Sequence, residues 1–299
     1  MQFTKWHGLG NDFILLETKP DSLPKDKIPS FTRRLCDRNF GVGGDGLVFV
    51  FQDEQGMINM RIFNADGSEA EMCGNAIRCV AKYAYQKGLA KEIIFQIKTK
   101  AGVKVPELIL EEGSVAAAKV DMGEPILERE KIPVAGEPGD RVVNEVIEVG
   151  DNILKFTAVS MGNPHCLIFV PDAGSAPLRT LGPRLECHRL FPSRTNVEFV
   201  EVLNRKEARV RVWERGVGET LACGTGACAT AVGGALAGYL DRKVRVYLPG
   251  GELLVEWAEN NHVYMTGPAE EVFQGYLHDE FIKRILDENP EPQANGSNR

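Results

Sequence analysis

The sequence predicts an α+β protein built from two homologous halves, and three observations carry that expectation. A shift of about 150 positions lays residues 61–88 (RIFNADGSEAEMCGNAIRCVAKYAYQKG) on 211–238 (RVWERGVGETLACGTGACATAVGGALAG) without a gap. Strand patterns dominate each half, with one principal helix apiece. The chain is 299 residues long, enough for two domains of ordinary size.

The echo runs beyond the aligned segment. GLGNDFILL around Asn11 resembles SMGNPHCLIF around Asn163, and GVGGDGLVFV around Asp45 loosely resembles SRTNVEFVEV around Asn196. KTKAGV after the first helix matches LPGGEL after the second. Several echoes in one order argue for duplication rather than chance.

In the first half a strand is expected over 14–17, a helical stretch near 31–38, and strands over 46–51 and 57–63. The Asp66–Gly67 turn follows, then a helix beginning at Cys73 and stopping at Gly88. Gly238 ends the equivalent helix of the second half. Strands are expected over 93–98 and 244–248, then over 103–110 and 252–257. The lobe boundary is expected between Glu112 and Glu128, with the stretch 120–140 rich in Pro, Gly and charge as a connector would be. The expected division is residues 1–117 for the first lobe, completed by about 269–285, and 118–268 for the second. Residues 286–299 have the composition of a disordered tail.

Composition narrows the classes. Hydrophobic residues make up 43% and charged residues 26%, as in ordinary globular proteins. A formal net charge of -7 with no basic run argues against nucleic acid as a partner. The N-terminus shows no basic segment followed by an apolar stretch, so the expected location is the cytoplasm. The uncharged run 223–240 approaches the length of a membrane span, but it is mostly Gly, Ala and Thr, so a buried helix is expected and no membrane partner. The seven cysteines show no C-x-x-C pair and no disulfide spacing, so no metal site is expected.

Cysteines taken singly are usually small buried hydrophobes. Cys36, Cys79, Cys166, Cys187 and Cys228 are read that way. Cys73 and Cys223 differ, because the duplication makes them equivalents, each before a glycine at the start of a main helix. Two similar lobes facing across a pseudo-twofold axis place such residues on opposite walls of a cleft. The helix terminus is expected to lower each thiol below its free value of about 8.5. The first-turn N–H groups beside Gly74 and Gly224 are placed to bind a substrate carboxylate. Inversion at an α-carbon needs this pair: a base on one face and an acid on the other. A site that excludes water and stabilises the carbanion completes the requirement. Glu69 and Glu219 recur just ahead of both helices, where helix-terminus electrostatics would explain them without catalysis.

GLGNDF (8–13), FNADGSE (63–69), EMCGNAIRC (71–79), SMGNPHC (160–166), ERGVGETLACGTGAC (214–228) and YMTGP (264–268) together resemble diaminopimelate epimerase. The match runs from Met1 to about Leu277, with the motifs in order. The resemblance implies interconversion of LL- and meso-2,6-diaminopimelate without pyridoxal phosphate or metal, serving lysine and peptidoglycan precursor synthesis. It also implies two lobes, each a mixed sheet curled around a central helix, and a homodimer. Carried over, Cys73 and Cys223 become the acid and base, and Gly74, Asn75, Gly224 and Thr225 donate to the reacting carboxylate. Asn11, Asn64, Asn163, Asn196, Glu214 and Arg215 hold the amines and the distal carboxylate. His165 is an auxiliary candidate that could orient a cysteine through Glu214. Some members of that family carry glutamine where this chain has Gly46, which puts one substrate contact in question.

Other readings compete. A proline racemase or phenazine-pathway isomerase would share the fold. The paired thiols disfavour the second, and the asparagines with Glu214 and Arg215 disfavour a small cyclic substrate. A thiol redox protein would need no ring of amide groups, and a two-lobed binding protein would need no opposed thiols.

Overall fold

The computed structural model describes residues 1–139 and 141–287. The first half runs β1 (Gln2–Gly8), β2 (Asn11–Glu17), α1 (Ile28–Cys36), β3 (Gly46–Gln52), β4 (Ile58–Asn64), β5 (Glu69–Ala70), α2 (Gly74–Gln86), β6 (Ile97–Thr99) and β7 (Gly102–Lys104). A linking hairpin follows, β8 (Glu107–Glu111) and β9 (Ser114–Asp121), then β10 (Glu145–Val149). The second half is β11 (Asn152–Ser160), β12 (Pro164–Val170), α3 (Leu178–Glu186), β13 (Asn196–Asn204), β14 (Glu207–Glu214), β15 (Gly218–Thr220), α4 (Gly224–Leu236), β16 (Lys243–Leu248) and β17 (Gly251–Trp257). The chain closes with β18 (Val263–Gly267), β19 (Glu270–Tyr276) and α5 (Asp279–Asp287).

The duplication is visible in the strand pairing. The first sheet has the order β19-β1-β2-β3-β4-β6-β7, with β5 on β4. The second has the order β10-β11-β12-β13-β14-β16-β17-β18-β9-β8, with β15 on β14. In both, the second and third repeat strands run parallel (β2 with β3, β12 with β13), as do β4 with β6 and β14 with β16. The remaining neighbours of the repeat run antiparallel.

Each sheet is covered on both faces. The inner faces pack on α2 and α4, and these helices share one apolar core that spans the lobes, from Trp6 through Val80 and Ala231 to Met265. Ile28, Phe31 and Leu35 of α1 recur on one helical face, and that face closes the outside of the first sheet together with α5. Leu178, Leu181 and Leu185 of α3 do the same for the second. Helix α4 has no apolar stripe because it is buried on every side, and its Ala and Gly content lets the strands approach. It is 13 residues long, and no helix among the described residues is long and apolar enough to cross a membrane.

Some boundaries moved. The strand expected over 103–110 is split into β7 and β8 at Pro106, which has no N–H for a ladder. The strand expected over 93–98 shortens to Ile97–Thr99, preceded by a single bridge from Ile94 to Glu107. A lobe boundary at 117/118 falls inside β9. That strand is hydrogen-bonded to β18 of the second sheet while its apolar side chains pack on α2 of the first lobe. By hydrogen bonding the sheets divide near Val105 instead, and the β8–β9 hairpin joins the lobes. The C-terminal return is seen in β19, which pairs β1. Helix α5 extends to Asp287 and Leu286 packs on the outer core, so residues 286 and 287 are helical where a disordered tail was expected. Residues 288–299 lie outside the described residues.

Candidate active site

Cys73 and Cys223 are the N-cap residues of α2 and α4, with extended backbones (φ -140° and -122°). Strands β5 and β15 deliver the chain to them through equivalent turns. The two helix starts converge on one side chain. A Cβ at Gly74 would meet Met265 Cε at 2.8 Å, and one at Gly224 would meet Met265 Sδ at 3.1 Å and Asn75 Oδ1 at 3.8 Å. A side chain at either glycine would have to push the Met265 side chain aside.

Around Cys73 the contacts come from the first lobe. Its Sγ lies 3.9 Å from Asn11 Oδ1, which also accepts from Asn75 Nδ2 at 3.0 Å. Asn11 is held by Asp45, whose Oδ2 accepts from Asn11 Nδ2 at 2.9 Å and from the Asp12 amide at 3.0 Å. Asp45 and Asp12 share Arg38, and Lys5 completes the network on Asp12 at 2.5 Å. Asn75 Oδ1 accepts from Arg78 Nη2 at 2.9 Å. Arg78 is fully buried and donates to the carbonyls of Gly74 (3.1 Å) and Pro268 (3.2 Å). It pairs with no carboxylate among the described residues.

Cys223 has a different shell. Its Sγ accepts from the Gly226 amide at 3.4 Å and lies 3.5 Å from Thr225 Oγ1. Asn163 Nδ2 reaches Thr225 Oγ1 at 3.4 Å, and Asn163 Oδ1 lies 3.0 Å from His165 Nε2. Glu214 accepts from Thr220 at 2.5 Å, and burial pushes its carboxyl above the usual range. Its negative charge acts on both cysteines, and Asp45 of the other lobe acts on it in turn, which places Glu214 between the two shells.

The thiols differ from expectation. Burial raises both, and carboxylates add to that rise, chiefly Glu214 and Glu198 at Cys223 and Glu214 at Cys73. Amide hydrogen bonds at the helix starts and, at Cys73, the charge of Arg78 pull the other way without prevailing. Desolvation outweighs the helix terminus in the free protein.

The remaining candidates separate into two groups. Asn11, Gly74, Asn75, Asn163, Glu214, Gly224 and Thr225 join the constellation of the cysteines. Asn196 is buried with its side chain spent on structure, donating to the Pro164 carbonyl and accepting from the Arg215 amide, both at 2.9 Å. Asn64 and Arg215 are exposed, the first bonded to Ser68 of its own turn and the second to the Ser193 carbonyl. Neither contacts a cysteine. His165 is bonded to Glu198 at 2.6 Å rather than to Glu214. Glu69 and Glu219 are partners of the repeated arginines, Arg61 at 2.7 Å and Arg211 at 2.6 Å, and such ion pairs explain their recurrence better than the helix termini do. At Gly46 a Cβ would meet the Phe63 carbonyl at 2.8 Å, so no glutamine fits there on this backbone. Of the other cysteines, Cys36, Cys79, Cys166 and Cys228 are buried, while Cys187 is exposed.

Sequence reasoning missed Glu198, Arg78, Asp45 and Met265. Glu198 left a trace, a lone acid between Val197 and Phe199 in a strand where all three are buried. Arg78 stood inside a quoted motif, but the sequence does not show that helix α2 is buried on the face it occupies.

A family model described as "Diaminopimelate epimerase" matches residues 3–128 and 157–272. The chain is 58% identical over 276 residues to the diaminopimelate epimerase of Moorella thermoacetica, covering 92% of this chain and 98% of that protein. It is 56% identical over 275 residues to that of Pelotomaculum thermopropionicum, with the same coverage. Among solved structures, a probable proline racemase from Agrobacterium radiobacter superposes with a TM-score of 0.67 at 14% identity, covering 95% of each chain. A phenazine biosynthesis protein of the PhzF family from Bacillus anthracis gives 0.64 at 17%, covering 92% of this chain and 98% of that one. At such identities these last two share the fold alone.

Proposed function

The chain belongs to the diaminopimelate epimerase family, and from that premise we propose that Cys73 and Cys223 invert one α-carbon of diaminopimelate as a thiolate and thiol pair. The enzyme is an isomerase that interconverts the LL and meso forms. The observation that carries the two-base reading is the pair of N-cap cysteines on duplicated helices whose first glycines close on the same Met265.

The geometry supports each step. The first-turn amides of α2 and α4 would bind the reacting carboxylate and stabilise the charge that grows on it as the α-proton leaves. One sulfur takes that proton while the other delivers its own to the opposite face, and the reverse reaction exchanges their roles. Asn11, Asn75 and Asn163 offer amide groups to the substrate's ammonium and carboxylate groups. The raised thiols fit this chemistry. An ammonium group arriving beside Glu214 offsets the carboxylate charge that opposes thiolate formation, so the base is generated with substrate in place. Closure of the lobes about the β8–β9 hairpin would exclude water. The proposal includes a cytoplasmic homodimer that supplies lysine and peptidoglycan precursors, with the two side chains themselves serving as acid and base.

Incubation of reduced protein with LL-diaminopimelate in deuterated water, followed by NMR, tests the reading. Meso product with deuterium at the inverted centre is expected, and it is lost in Cys73→Ala and Cys223→Ala. Inversion by either variant at the wild-type rate refutes the two-thiol mechanism.

A further inference from the structure

The shared strand register allows buried positions of the two lobes to be matched one by one. Phe13 lies opposite Gly46 in the β2–β3 pair, and His165 lies opposite Asn196 in the β12–β13 pair. Two positions along, Val48 faces Ile62 and Glu198 faces Val212. His165 thus stands in the place of Phe13, and Glu198 in the place of Val48. In the first lobe both side chains are buried and apolar, part of the core around α2. In the second lobe His165 and Glu198 are each 0% exposed, with Nδ1 and Oε1 2.6 Å apart.

The fold does not require this pair, since its other half manages with phenylalanine and valine. A buried ion pair is no more stabilising than apolar side chains of similar volume, and often less so. Here the balance is poorer still, because Glu198 Oε2 has no hydrogen-bond partner among the described residues. A costly replacement of an apolar pair, made only in one lobe, points to work done there.

The contacts say what that work is. From Glu198 Oε1 the chain passes to His165 Nδ1 at 2.6 Å, from Nε2 to Asn163 Oδ1 at 3.0 Å, and from Asn163 Nδ2 to Thr225 Oγ1 at 3.4 Å. Thr225 Oγ1 then lies 3.5 Å from Cys223 Sγ. Glu198 reaches the sulfur by a second route as well. A Cβ at Gly226 would meet Glu198 Oε1 at 2.8 Å, and the Gly226 amide is the other group bonded to Cys223 Sγ. Glu198 is thus joined by contacts to Thr225 and packs against Gly226, the two residues that touch the sulfur.

We propose that Glu198 is a positioning residue for Cys223, acting through His165 to hold the Thr225 hydroxyl and the Gly226 amide on the sulfur. The proposal rests on the reading of Cys223 as one of the two acid/base residues. Glu198 fixes the ring by its Nδ1 side, which turns Nε2 toward Asn163 and sets the amide that reaches Thr225. No counterpart serves Cys73, where Val48 occupies the position.

Steady-state kinetics of Glu198→Gln, His165→Gln and the double variant test this. Glu198→Gln is expected to lower kcat about tenfold with KM changed less than about twofold, since a misplaced sulfur weakens the transition state and not ground-state binding. The double variant loses no more than the worse single one, because the two act in one chain. The far-downfield imidazole proton of the Glu198–His165 bond disappears from the proton NMR spectrum of Glu198→Gln. If Glu198→Gln folds poorly, the combination Glu198→Val with His165→Phe supplies the first lobe's own pair. That variant is expected to keep the wild-type Tm and lose about a hundredfold in kcat. Wild-type kcat in Glu198→Gln, or losses that multiply in the double variant, would overturn the role of Glu198. Cys223→Ala run beside them separates the two readings. If that variant still epimerises, the assignment of Cys223 fails. If it is inactive while Glu198→Gln is unimpaired, only the role of Glu198 fails.

Discussion

Cys73 and Cys223 hold the same station in the repeat, yet the charges that the two lobes place around them have opposite sign. Beside Cys73 stands Arg78, a buried guanidinium bonded to carbonyls and to Asn75. Its counterpart in the aligned second lobe is Cys228, whose thiol burial keeps neutral. Beside Cys223 stand Glu214 and Glu198, whose counterparts are Asn64 and Val48. The core strand order is duplicated, while the charged side chains around the two sulfurs depart from symmetry. On the proposed two-thiol reading, a symmetric scaffold would bring two thiols to one carbon, and unequal neighbours would decide which of them starts as the base.

The largest effect should come from removing either sulfur. Cys73→Ala and Cys223→Ala are each expected to lower kcat/KM about 10⁴-fold, the upper range for a general acid or base. The comparison is sharpened by alkylation. Burial raises both thiols, but Arg78 opposes the rise at Cys73 while two carboxylates reinforce it at Cys223. Iodoacetamide should therefore label Cys73 at lower pH than Cys223, as read by peptide mass spectrometry across a pH series. Equal profiles would mean that the unequal neighbours do not set the resting state.

Arg78→Gln tests the cationic half of the contrast. Loss of the guanidinium should move the Cys73 alkylation profile to higher pH and leave that of Cys223 in place. It should also lower kcat about a hundredfold, because Asn75 and the first turn of α2 lose their anchor. Denaturant unfolding should show a loss of about 2 kcal/mol from its hydrogen bonds. Glu214→Gln tests the anionic half with the reverse sign. Removing the carboxylate charge should make both thiols react faster with iodoacetamide at a given pH, about severalfold, while epimerisation falls about tenfold. A variant that gained both reactivity and epimerase activity would show that Glu214 has no part in binding the substrate's ammonium group.

What was legible in the sequence follows the same line between scaffold and asymmetry. The duplicated segment aligned without a gap, so the two cysteines, their glycines and the helices they begin were all readable. Asn11, Asn75, Asn163 and Thr225 came from the family resemblance, and the structure groups them with the cysteines. The linking hairpin was not readable, because whether β9 bonds to β18 depends on a pairing more than a hundred residues away in sequence. Helix α3 carries Pro183 in its interior, which hides it from propensity. The charged neighbours were hidden for another reason. Arg78 and Glu198 look like solvated residues until packing shows them wholly buried. The thiol direction was misjudged because a helix start is visible in sequence and the depth of burial is not.

A smaller effect belongs to the entrance of the first lobe. Pro164 follows Asn163 in the second lobe, but Asp12 follows Asn11 in the first and anchors a charged network in its place. Burial alone would raise the Asp12 carboxyl, yet hydrogen bonds from Arg38 and Lys5 outweigh it and hold the group at about 2. The folded state thus favours the carboxylate. Its contribution to stability is present above the unfolded value of about 3.9 and is lost as the pH falls through about 2. Asp12→Asn should cost about 1–2 kcal/mol in urea unfolding at pH 7, and that cost should fade to nothing as the pH falls below about 2. Because the same network seats Asp45, which holds Asn11, KM should rise a few-fold while alkylation of Cys223 stays unchanged. Change at Cys223 would show that the two shells are coupled through the lobes. Its absence would place Asp12 wholly on the Cys73 side of the division.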